Sequence, residues 1–177
     1  MQYSQITYSI QYPIYWNKLD KRKFISKEEA QNKFQNGEFY FCVFRNDLDQ
    51  ILAIIDYQGI CVGVEIFEDG VFEGQAQKVP NSWSVYHVEP KQNYQNLVFF
   101  QYRYCNRHYN FRNGIANMLI TSDLLGHDKS YEGHYDEKIM KPLSITFDDY
   151  QTLFDDQAEI KKMVENIEFV EKVHRRK

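Results

Sequence analysis

The chain is poor in the residues on which backbone-built ligand sites depend. Only eight of its 177 residues are glycine, few for a loop whose amides would cradle phosphate. No GxGxxG, Walker-type loop, HExxH or GxSxG pattern occurs, which points away from dinucleotide, nucleotide, zinc-protease and serine-hydrolase chemistry. No apolar run approaches the roughly 18 residues of a membrane span, so no membrane contact is expected. The opening residues, MQYSQITYSIQYP, lack a basic region followed by an apolar block, and no secretory signal is read there. There are three cysteines, Cys42, Cys61 and Cys105. An odd count without an export signal argues for reduced thiols and a cytoplasmic location.

What the chain does have is aromatic surface: 16% of residues, with fourteen Tyr and thirteen Phe. Aromatic and β-branched residues favour strands and bury large areas, which predicts a β-rich core. Tyrosine is also enriched where proteins touch one another. The net charge of -4 is unevenly spread. Residues 1–35 carry six Lys+Arg against three acids, whereas Asp128 to Glu171 carry twelve acids against five bases. Such an acidic stretch is either a solvated face or a surface that steers a basic partner.

Ile6, Tyr8, Ile10 and Tyr12 alternate with polar residues, the period of a half-buried strand that Pro13 ends. Ser26 with Glu29 reads as a capping box for a helix over Lys27 to Asn36, and Gly37 as its C-terminal cap. From Glu38 to Cys105 the chain runs through apolar segments separated by turn formers. EFYFCVFR is apolar on both faces, as an interior strand would be. Residues 47–57 fit a strand or a helix, since Leu48, Ile51, Leu52 and Ile55 have helical spacing while ILAIIDY is β-rich; strand is favoured. Asp69-Gly70 between ICVGVEIF and VFEGQAQK predicts a tight hairpin. SWSVYHVE and LVFFQYRYC supply further strands. Asn106 to Gly114 reads as a loop, Ile115 to Leu125 as a helix, and His127 to Lys141 as irregular chain. Thr146 with Asp149 begins one C-terminal helix. Ile160, Met163, Val164, Ile167, Val170 and Val173 make the apolar side of a second. The expected fold is α+β: one antiparallel meander sheet of about six or seven strands, an N-terminal helix and two C-terminal helices. It forms a single domain over residues 1–177.

Three residue sets carry chemistry. Cys105, His108, His127 and His134 include a Cys-x-x-His pair with the donor types of a zinc site, but a second close pair is missing and no metal or other cofactor is expected. His87, Glu89, His108, Arg103, Arg107 and Arg112 contain the acid, base and cation that phosphodiester cleavage requires, though their spacing does not demand it. The segment FFQYRYCNRHYNFR interleaves aromatics with Tyr102, Arg103, Arg107, His108 and Arg112, a composition suited to stacking single-stranded bases. The favoured function is instead non-catalytic: a protein-binding module, of the immunity type that neutralises a basic toxin domain. Its contacts would come from an acidic, aromatic surface including Asp148, Asp149, Asp155, Asp156, Tyr131 and Tyr135. A nucleic-acid hydrolase and a single-stranded RNA-binding protein are the alternatives.

Overall fold

The computed structural model describes residues 1–14, 20–58, 61–74, 81–87, 98–104, 106–121, 128–137 and 146–172; at 61, 81–87 and 98–101 it describes the backbone only. The chain divides into two compact units, Met1–Ser84 and Val85–Lys177.

The first unit is an antiparallel sheet of β1 (Gln5–Ser9), β2 (Phe24–Ile25), β3 (Tyr40–Arg45), β4 (Ile51–Gln58) and β5 (Cys61–Val71), in the order β2-β1-β3-β4-β5. All six residues of β3 are buried, as its apolar sequence on both faces requires. One face carries Tyr40, Cys42 and Phe44. Helix α1 (Lys27–Gln35) lies there, with Phe34 edge-on to Tyr57 at 5.7 Å. The Ser26 hydroxyl accepts from the Glu29 N–H at 3.1 Å, and Gly37 follows with φ +66°, so both ends of α1 form as the sequence predicts. On the other face Phe41, Val43, Ile51, Ile54, Phe67 and Val71 close around Ile14.

Residues 51–57 are strand, and the helical spacing that begins at Leu48 is interrupted by a turn. Asn46 Oδ1 accepts from the N–H groups of Leu48 and Gln50 at 3.1 and 2.9 Å. A side chain that could cap a helix here caps a turn instead. The hairpin expected at Asp69-Gly70 does not form. Strand β5 runs through it, and Ile66 pairs with Ala53 while Val71 pairs with Ile51. Residues 67–70 therefore bulge opposite Leu52. The positive φ of Gly70, +67°, serves this bulge rather than a two-residue turn; the same backbone freedom satisfies either.

Strand β6 (Asn81–His87) spans the boundary between the units. The second unit has its own five-stranded antiparallel meander: β7 (Val98–Tyr104), β8 (Arg107–Arg112), β9 (Ile115–Ile120), β10 (Lys129–His134) and β11 (Val170–Glu171). Among the described residues, the expected meander of six or seven strands with two C-terminal helices gives way to five antiparallel strands and one α-helix in each unit, with β6 in addition.

Three local expectations change with it. The polar-aromatic loop over Asn106 to Gly114 is strand β8, where Tyr109 and Phe111 point inward and their neighbours outward. Asn113 and Gly114, at φ +50° and +73°, make the tight turn to β9. The apolar run from Ile115 is a strand with Ala116 and Met118 buried and Leu119 exposed, and the chain over Lys129–His134 is a strand too. The two C-terminal helices are one, α2 (Tyr150–Glu165), whose Tyr150, Leu153, Phe154, Ile160, Met163 and Val164 share a buried side. Its cap is Asp149, which accepts from the Thr152 N–H at 3.3 Å. Asn166 ends it, donating its side-chain amide to the Lys162 carbonyl at 2.8 Å. Val170 then enters β11 and is exposed.

Candidate functional site

The second sheet has one covered face and one open face. Register places Tyr102, Tyr109, Met118 and Tyr131 in one row across four strands, with Phe111 and Ala116 beside them. This is the covered face. Lys161 of α2 stands 5.2 Å from the centre of the Tyr104 ring, and Phe169 packs on Tyr109 at 5.7 Å. Strict alternation along each strand then sends Arg103, His108, Asn110, Arg112, Asn117, Leu119, Ser130, Glu132 and His134 to the opposite side.

Of the sequence-based nucleic-acid set, the structure brings Arg103, His108 and Arg112 to this open face. Tyr102 lies on the other face, 1% exposed, in the core. Arg107 shares the inner parity but is exposed at the end of its strand. The aromatic rings that would stack bases are packed inward among the described residues, while the cations face out. Alternation, not composition, separates them.

Arg103 pairs in register with His108, and His108 with Leu119. Burial, with a smaller contribution from the Arg103 charge, holds the His108 imidazole below its ordinary pKa. The next row is amide-rich: Asn110 opposes Asn117, which opposes Glu132. Lys172, beyond β11, forms an ion pair with Glu132, and its N–H donates to the Ser130 carbonyl at 2.8 Å. His108, Leu119 and Ser130, with Asn110, Asn117 and Lys172, line an open groove of about 540 Å³, and Arg103 stands beside it, opposite His108 on β7. That volume is in the range of small-molecule sites.

Acid–base cleavage of a phosphodiester needs two titratable groups on one phosphate. His108 and His134 sit two strands and four residues apart, roughly 16 Å by strand spacing and rise. His87 and Glu89 fall outside the described side chains, as do Cys105 and His127 of the zinc-type set. Among the described residues, no group of three or more His, Cys, Asp or Glu side chains is placed to hold a metal ion.

The acidic set divides by role. Asp149 is the helix cap, and Asp156 is half-buried. Asp148 and Asp155 are exposed, and Asp155 accepts from the Gln151 side-chain amide at 2.9 Å. Further along, Glu159 and Glu165 also point outward. The tyrosines belong to the sheet rather than to α2. Tyr131 is half-buried on β10, and Tyr135 meets Phe111 edge-on at 5.6 Å, burial raising its hydroxyl above the usual phenol range.

The first unit has a concavity of its own, about 590 Å³, lined by Gln5, Thr7, Lys21, Phe24, Arg45, Asp49, Phe72 and Glu73. Its floor is the buried Arg45, missed in the sequence because it sits at the end of an apolar strand. Arg45 pairs with Glu73 and donates to the Asp49 carbonyl at 3.3 Å. Its charge is satisfied from within, which makes this arrangement structural.

Among the described residues no helix is long and apolar enough to cross a membrane. No family model, no curated protein and no solved structure matches this chain.

Proposed function

We propose that the protein is a non-catalytic binding module of the toxin-neutralising, immunity type, which contacts a basic partner through the outward face of α2. The observation that supports this reading is the division of α2 into two faces. Its apolar side is filled by Tyr150, Leu153, Phe154, Ile160, Met163 and Val164, so packing places no demand on the opposite side. That side and its flanks present Asp148, Asp155, Glu159 and Glu165 to solvent. Residues 146–172 hold eight acids and three bases.

A nuclease toxin must present a basic cleft to phosphate. An acidic helix therefore gains rapid encounter from long-range attraction. Asp149 serves chiefly to cap the helix, and its acid also favours the positive end of the helix dipole.

The experiment is capture of a basic domain encoded beside this gene, followed by calorimetry. Charge reversal by D155K and E159K together is expected to slow association roughly tenfold or more at low salt and to leave the fold intact. Failure of any neighbour-encoded protein to bind would sink the reading, as would unchanged association by the reversed variant. Cleavage of RNA or DNA by the purified chain would replace it with the hydrolase.

A further inference from the structure

We propose that the open face of the second sheet binds a phosphate monoester the size of a nucleoside monophosphate, its ring lying in the groove over Leu119, Asn110 and Asn117 and its phosphate held at the groove's edge between His108 and Arg103, the register partner of His108 on β7. The inference does not depend on α2, which covers the opposite face of the same sheet.

Among the described strand residues, the outward positions carry Arg103, Arg112 and Glu132, and Lys172 pairs with Glu132. Arg112 stands outside the two rows that line the groove, and Lys172 is engaged by Glu132. Arg103 has no acidic partner among the described residues, so its planar fork is open to an anion, and a phosphate is matched to it in geometry as well as charge.

The neighbouring His108 adds a ring N–H donor one strand away, with β-carbons about 5 Å apart for directly opposed residues. Beyond it Leu119, 39% exposed, is a flat apolar floor between His108 and Ser130. Asn110 and Asn117 stand side by side with amide donors and acceptors facing the same space. A ligand with an anionic head, an apolar ring face and a hydrogen-bonding edge meets all three features. A bare phosphate meets the first alone. The absence of outward aromatic rings among the described residues of this face argues against a tract of stacked bases.

The test is titration of the full chain with uridine monophosphate, uridine and inorganic phosphate, followed by amide chemical shifts. Saturable binding of the monophosphate is expected, with shifts centred on Arg103, His108, Asn110, Asn117 and Leu119. Inorganic phosphate should compete, and uridine should bind at least about tenfold more weakly. R103Q should lower affinity roughly tenfold, and R107Q, at the strand end, should not. The shift map reads the site in the unaltered protein should R103Q fold poorly. No saturation at millimolar monophosphate, shifts centred elsewhere, or equal affinity for uridine each overturn the proposal. Binding to oligouridine that grows with length while the monophosphate fails to bind overturns it in favour of a nucleic-acid surface.

Discussion

Ile167 occupies the space where a side chain on Gly133 would begin. A β-carbon at Gly133 would stand 2.4 Å from Ile167 Cγ2 and 2.8 Å from the Glu168 carbonyl oxygen. The chain leaving α2 therefore crosses directly over β10, close enough to turn back and pair as β11. Gly133→Ala should force this crossing outward and destabilise the protein by about 2 kcal/mol, the usual scale of overpacking. Urea unfolding measures it; an unchanged midpoint would mean that the crossing is loose.

Arg45 and Glu73 give a second prediction. The Arg45 side chain is 4% exposed and that of Glu73 is 23% exposed. Glu73→Gln leaves a buried guanidinium with only Asp49 to answer its charge. The expected cost is about 2 kcal/mol, below the range for a fully buried pair because Asp49 remains. Arg45→Met should cost less, since the stranded Glu73 can reach water. The reverse order in thermal unfolding would count against the pairing.

Asp56 should govern part of the pH dependence of the first unit. Burial raises its pKa, opposed in part by the Gln58 amide, which donates to Oδ2 at 2.6 Å. A carboxyl whose folded pKa is raised favours folding while protonated, and that contribution is lost as pH climbs past its unfolded value. Asp56→Asn should therefore stabilise at pH 7 and change little near pH 3. Denaturation midpoints at the two values decide it.

His108 acts in the opposite sense on the acid side of neutrality. Its folded pKa lies below the unfolded value, so the unfolded chain binds the proton more readily. The stability this neutral imidazole supports is present above the unfolded pKa near 6.5. It falls away as pH drops through that value towards the folded pKa. His108→Gln should flatten the slope between pH 7 and 5, and a slope identical to the parent would remove His108 as its source.

Several elements were legible from residues alone because their determinants are local. Ser26, Glu29 and Gly37 bracket α1 through hydrogen bonds and a backbone angle within a few residues. The apolar both-faced run at Tyr40–Arg45 announced an interior strand. Asn113-Gly114 carried a turn signal as strong as Asp69-Gly70, and recognising it would have turned the supposed loop before it into β8. Ile160, Met163 and Val164 marked the inner side of α2, but the same period carried on to Val170 by coincidence, past the Asn166 stop.

The sequence by itself determined the α+β class, the caps of α1 and the concentration of acids in the last third, because propensity, capping and charge are properties of neighbours along the chain. Tertiary structure alone decided the rest. It made Asp69-Gly70 a bulge, since β4 was available to pair on both sides of it. It divided the Tyr/Arg segment, sending Tyr102 and Tyr109 under α2 and Arg103 and His108 to the open face. Which side of a strand is covered depends on what packs against it, and that helix is supplied from some fifty residues further along the chain.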